Sequence, residues 1–122
     1  MSELPKEKIK NIAKNEKTPQ MFLDVLSNFE ECKLAVAINK NTHPKTLDRL
    51  ADDKDWNVRN AVALNPNTFA KTLDKLSNDE DEWLRRNIAN NPNTSSETLD
   101  KLSNDKSDVV YHVIPHNQNA NG

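Results

Sequence analysis

Two tryptophans stand in the densest acidic stretches of this chain. Asp52, Asp53 and Asp55 precede Trp56, and Asp79, Glu80, Asp81 and Glu82 run directly into Trp83; Asp105 and Asp108 follow at the same interval. Four consecutive acids exceed what one helix start needs. Like charges at close range repel, and a basic partner would offset that repulsion. A partly exposed tryptophan beside them suits an interface anchor. The competing reading is solvated turns that favour helix N-termini, with each tryptophan packed on a neighbour. Counted round a helix, Trp56 lies about 160° from Val58 and Trp83 about 100° from Leu84, so the two are not in register.

A basic column runs through Lys33, Arg59 and Arg85, with Arg86 beside it and Tyr111 at the last position. Stacked at roughly 10 Å, these side chains would form a stripe able to follow phosphates. Alternatively each cation pairs with an aspartate of a neighbouring turn or helix, such as Asp48, Asp74 or Asp100. His112 and His116 share a helical spacing that suits a metal pair, but Pro115 breaks the helix between them and no third ligand is evident. Cys32 is the single cysteine, which excludes an internal disulfide and any CxxC site; it reads as a small buried apolar residue. No Ser/His/Asp or Cys/His arrangement is evident, and the one glycine, Gly122, leaves no phosphate-binding loop. No catalytic residue, metal or cofactor is therefore expected.

These residues are held by an internal repeat. Val58–Asp79, VRNAVALNPNTFAKTLDKLSND, returns 26 positions later as Leu84–Asp105. Aligned on Asn15, Asn39, Asn65, Asn91 and Asn117, the steps are 24, 26, 26 and 26, a period that signals a stacked array. A first helix precedes each aligned Asn. Its inward stripe is Val58, Ala61, Val62 and Asn65; the matching residues are Cys32, Ala35 and Val36, then Leu84, Asn87 and Ile88, then Val110, Val113 and Ile114, with Ile12 and Ala13 in the first unit. An Asn-Pro turn ends the helix, with Asn doing the turning because it tolerates the left-handed region and can hydrogen-bond nearby backbone. Thr18, Thr42, Thr68 and Thr94 read as N-caps of a second, short helix, Pro19 as a first helical residue and Thr94/Glu97 as a capping box. That helix carries Leu23, Leu47, Leu73 and Leu99 with Leu26, Leu50, Leu76 and Leu102 three residues on.

The expectation is an all-α solenoid forming a single repeat domain over 1–122, with units at about 1–28, 29–54, 55–80, 81–106 and a partial 107–122. Pro115 should end the last first helix early, and the chain from Asn117 should fray. Only 34% of the residues are hydrophobic and 30% are charged, which suits units that each bury a thin apolar stripe. A net charge of −2 supplies no field towards nucleic acid or acidic membranes. The polar start, MSELPKEKIK, has no apolar h-region, and no run approaches a membrane span; a cytoplasmic, monomeric protein is expected.

The motif V-R-x-A-V-A-x-N-P-x-T followed by L-x-x-L stands here as Val58 to Thr68 with Leu73 and Leu76, and again as Leu84 to Thr94 with Leu99 and Leu102. It resembles the leucine-rich repeat variant family over most of residues 10–117, although Cys32-Lys33 and Lys40 depart from it in the second unit. The resemblance implies a right-handed superhelix of alternating α- and 3-10 helices, and binding rather than a common chemistry. The family's founding member carries a cysteine-rich iron–sulfur module; without a cysteine cluster, that cofactor is not expected here.

These readings lead to a protein-binding module. Its sharpest form is an inhibitor or immunity protein for a basic partner such as a nuclease toxin, contacting it through Asp53, Asp55, Trp56, Asp79, Glu80, Asp81, Glu82, Trp83 and Tyr111. The rivals are nucleic-acid binding through Lys33, Arg59, Arg85 and Arg86, and a structural scaffold in a larger assembly.

Overall fold

The computed structural model describes residues 5–120, all-helical with no strand among them. The order is α1 (Lys6–Lys14), α2 (Gln20–Leu26), a 3-10 turn (Glu30–Cys32) leading into α3 (Lys33–Ile38), α4 (Pro44–Leu50), α5 (Trp56–Leu64), α6 (Ala70–Leu76), α7 (Glu82–Asn90), α8 (Ser96–Leu102) and α9 (Asp108–Tyr111), then a second 3-10 turn (Ile114–His116). The odd-numbered helices lie side by side in chain order, α1 on α3, α3 on α5, α5 on α7 and α7 on α9. Each of α2, α4 and α6 packs against the odd helices before and after it. The even helices are seven-residue α-helices, not the 3-10 segments that the family resemblance implies.

The core is one continuous stripe. Leu23, Leu47, Leu73 and Leu99 are fully buried, as are Cys32, Leu84 and Val110 with Val36, Val62 and Ile88. A column of which the sequence reading held only Ala13 joins them: Ala13, Ala37, Ala63 and Ala89, all fully buried. Each of their carbonyls accepts from an Asn side chain one unit on. In α1 the inward pair is Ile9 and Ala13, while Ile12 is exposed, a correction to the expected stripe. Asn87 also leaves it: half-buried, it donates to Asn60 Oδ1 at 2.6 Å.

The turns use one of the two properties expected of Asn, hydrogen bonding to nearby backbone, and not the left-handed region. No residue among those described has a positive φ; Asn39, Asn65 and Asn91 are extended, with ψ of 123°, 122° and 129°. Asn39 does so before Lys40, so proline is not what sets the turn. The Asn side chain sets it. Asn65 Oδ1 accepts the Asn67 N–H at 2.9 Å, and its Nδ2 donates to Ala37 O at 2.9 Å and Asn39 O at 3.0 Å in the preceding unit. Asn39, Asn91 and Asn117 repeat the pattern. Asn41, Asn67, Asn93 and Asn119 form a second ladder onto Thr18, Thr42, Thr68 and Thr94 carbonyls.

The threonines are not N-caps. The hydroxyls of Thr18, Thr42, Thr68 and Thr94 donate backwards to Ile12, Val36, Val62 and Ile88 carbonyls at 2.6–2.7 Å, each a second bond to an oxygen that also accepts the backbone N–H of the Asn three residues on. The N-cap is one residue later, at Pro19, His43, Phe69 and Ser95. Pro19 is therefore outside the helix, and Ser95 rather than Thr94 caps α8 by accepting the Thr98 N–H at 3.2 Å. At the other end, Asn117 and Asn119 hold both ladders, so residues 117–120 are tied down rather than frayed; residues 121–122 lie outside the described range.

Candidate functional site

Each basic-column residue is locked to an aspartate one turn on. Lys33 Nζ meets Asp53 at 2.9 Å, Arg59 Nε meets Asp79 at 2.9 Å, and Arg85 Nε meets Asp105 at 2.8 Å with a second bond at 3.1 Å. The arginines also hold their own turn: Arg59 Nη1 donates to Asp53 and Lys54 carbonyls, Arg85 Nη1 to those of Asp79 and Glu80. The hydrogen bond to Asp105 holds the Arg85 guanidinium above its usual value, and Arg85 in turn holds the Asp105 carboxyl below its own. Burial pushes the Asp53 carboxyl up, but Lys33, the Asp55 N–H and the charges of Lys33 and Arg59 outweigh it and leave it lowered. The stripe needed to follow phosphates is thus already occupied; Arg85 is only 7% exposed. Arg86 remains apart, over the Trp83 ring at 5.9 Å.

Aspartates of a neighbouring turn or helix were both expected as partners, and those of the turns take these cations, whereas the helix aspartates Asp48 and Asp74 do not. They instead take threonines and cations of the next even helix. Asp48 accepts from Thr72 at 2.6 Å and meets Lys75 at 3.5 Å; Asp74 accepts from Thr98 at 2.8 Å and meets Lys101 at 3.2 Å. In the first unit Asp24 holds Thr46 and Arg49.

The acidic edge is likewise mostly occupied. Asp53 and Asp79 are ion-paired and each also accepts a backbone N–H two residues on, from Asp55 and Asp81. Asp55 caps α5 through the Asn57 N–H at 2.9 Å, and Asp81 caps α7 through Trp83 and Leu84 N–H at 2.8 and 3.0 Å. Glu82 accepts from Ser107 Oγ at 3.0 Å. Three of the four acids at 79–82 therefore serve the fold, which answers the apparent excess. Glu80 is the exception: its side chain is exposed and makes no hydrogen bond or ion pair among the described residues.

What remains is uneven around the molecule. Trp56, 37% exposed, stands with Arg59, Asn78, Asp79, Glu80 and Asp81 round an open groove of about 660 Å³. A second groove of about 430 Å³ shares Asn78, Asp79 and Glu80 and continues to Arg85, Asp105 and Lys106. Trp83, 52% exposed, is not in either groove; it sits one helical position before buried Leu84. Tyr111 stacks on His112 with ring centroids 5.2 Å apart. The predicted site residues therefore divide: Trp56, Asp79, Glu80 and Asp81 come together, whereas Trp83 and Tyr111 lie elsewhere.

His112 Nδ1 lies 2.9 Å from the Asp108 carbonyl oxygen, while His116 is in the separate 3-10 turn. No group of three or more His, Cys, Asp or Glu is placed to hold a metal ion among the described residues. Cys32 is fully buried, and burial pushes its thiol up.

One surface escaped the sequence reading. Leu34, Ile38 and Leu64 are 42%, 60% and 56% exposed on the outer side of α3 and α5, along grooves of about 430 and 460 Å³. The signal was present: these are apolar residues at helix positions off the inward stripe. No protein-family model, curated protein or solved structure matches this chain.

Proposed function

We propose that this chain is a non-catalytic protein-binding module built as a right-handed solenoid of two-helix units of about 24–26 residues, of leucine-rich repeat variant type, and that it captures a basic partner. The observation that carries the reading is the open groove in which half-exposed Trp56 stands beside Asp79, Glu80 and Asp81 with only Arg59 to balance them. What supports regular stacking of the units is the Asn ladder, in which the aligned Asn reaches back to the corresponding two carbonyls of the preceding unit from Asn39 to Asn117. In its most specific form the partner is a basic nuclease toxin and the chain its inhibitor, with Glu80 in the place of a substrate phosphate and Trp56 as the buried anchor. Steering by such charges raises the association rate and makes binding salt-dependent.

Because Asp79 and Asp81 serve the fold, the test is confined to Glu80→Lys and Trp56→Ala. Wild-type and variant proteins are used as baits in a cell lysate, and the retained proteins are then titrated at two salt concentrations. A basic protein held by the wild type, lost by both variants and weakened by salt is expected. Capture that neither variant changes refutes the reading.

A further inference from the structure

The apolar face of α3 and α5, bordered by lysines of α1, is independent of the Trp56 groove and has a chemistry of its own. Leu34 and Ile38 are four residues apart on α3 and form the wall shared by its two grooves. Lys10 and Lys14 of α1 border the first; Asn57, Asn60 and Leu64 of α5 border the second.

We propose that this face binds a short extended peptide with apolar side chains three residues apart, flanked by carboxylates. Packed helices stand about 8–10 Å apart, so the two grooves repeat at that interval. A polyproline-type strand rises about 3.1 Å per residue with three residues per turn, which places residues i and i+3 on one side about 9 Å apart. One apolar side chain then enters each groove.

An extended strand, unlike an α-helix, brings unsatisfied backbone carbonyls. The second groove offers amide donors to meet them. Asn60 Oδ1 accepts from Asn87, and its own NH₂ has no acceptor among the described residues. The Asn57 side chain makes no hydrogen bond among them.

The rim sets the charge. Lys10 is paired with Glu7, and Glu31 with Lys6. Lys14 and Lys40 have no ion pair among the described residues, against one such acid, Glu16, at the corner of the first groove. The surrounding sequence agrees: residues 1–45 contain eight lysines and six acids, whereas residues 46–122 contain nine lysines and arginines and thirteen acids. Carboxylates on the peptide complement this end of the molecule.

The test uses a fluorescein-labelled heptapeptide with leucine at its second and fifth positions, proline after each, and glutamate elsewhere, titrated by fluorescence anisotropy. Saturable binding to the wild type is expected. Ile38→Glu and Leu64→Glu, both at exposed positions, are expected to weaken it roughly tenfold or more, the order for one lost aliphatic anchor. Lys40→Glu weakens it in a salt-sensitive way, and Glu80→Lys on the other surface leaves it unchanged. Absence of saturable binding overturns the proposal. So does equal binding of a lysine-for-glutamate peptide, of a peptide with its leucines two apart, or by the Ile38→Glu and Leu64→Glu proteins.

Discussion

Replacing Asn65 with alanine tests what joins one unit to the next. The side chain is 3% exposed and makes three hydrogen bonds. Their loss is unequal. Asn39 O keeps a second partner, the Thr42 N–H at 3.1 Å. Ala37 O and the Asn67 N–H have no other partner among the described residues. A buried carbonyl left unpaired costs about 2 kcal/mol, and a half-buried N–H about 1 kcal/mol. Asn65→Ala should therefore lose about 3 kcal/mol, a large share of the 5–15 kcal/mol typical of a domain. At a urea dependence of about 2 kcal/mol per molar, the midpoint falls by about 1.5 M. Trp56 and Trp83 flank the site in sequence and report the transition by fluorescence. Asn15→Ala is the internal control. Asn15 occupies the same turn position but is exposed, and its side chain only accepts the Lys17 N–H at 2.9 Å. It should cost about 0.5–1 kcal/mol. Asn65→Asp keeps the bond to Asn67 but turns a carboxylate towards two carbonyls, so at neutral pH it should be at least as damaging as alanine. Protonation restores one donor, so its deficit relative to wild type should shrink as pH falls. If Asn15→Ala and Asn65→Ala prove equally costly, the ladder does not couple the units and the reasoning fails.

Arg85→Lys should be far from conservative: a lysine has no planar fork to serve Asp105 and two carbonyls at once, and a loss of about 2 kcal/mol is expected in urea melts. A change below about 0.5 kcal/mol would place Arg85 with ordinary surface pairs. The aspartates of the even helices predict an acid limb. The Thr98 hydroxyl, then Lys101, lowers the Asp74 carboxyl, and Thr72 acts first on Asp48 in the same way. A carboxyl lowered in the folded state is protonated first in the unfolded chain. Its contribution is therefore complete above the ordinary aspartate value of about 3.9 and is lost as pH falls through the folded value. Thr98→Val should move the Asp74 titration, read by carboxyl-carbon NMR, up towards that ordinary value; an unmoved titration would show that the hydroxyl is not the cause.

The aligned Asn, the paired leucines and the recurring Val-Arg or Leu-Arg positions were legible in the chain because each is a residue type repeated at one interval. That recurrence was enough to place the helices and most of the inward stripe, with Ile12 and Asn87 the exceptions, and to set Asp55 and Asp81 near helix N-termini. Partnership was not legible. Arg59 has aspartates before it, after it and in the next helix, and composition alone does not say that Asp79 takes the guanidinium while Asp48 takes Thr72 and Lys75. Thr68 has the residue type and place of an N-cap, yet its hydroxyl turns back to the Val62 carbonyl, which also accepts the Asn65 N–H where the preceding helix ends.

The same distinction separates the two surfaces. By itself the sequence determined a helical repeat, because apolar spacing and turn chemistry act over a few residues. Only the tertiary structure decided which polar groups the repeat consumes. Ion pairs and ladders join residues about 20–28 positions apart, so their partners emerge only once the units stack. Stacking engaged most of the acidic edge, left Glu80 and Trp56 beside a groove, and exposed Leu34, Ile38 and Leu64 on the outer side of helices whose other side is buried.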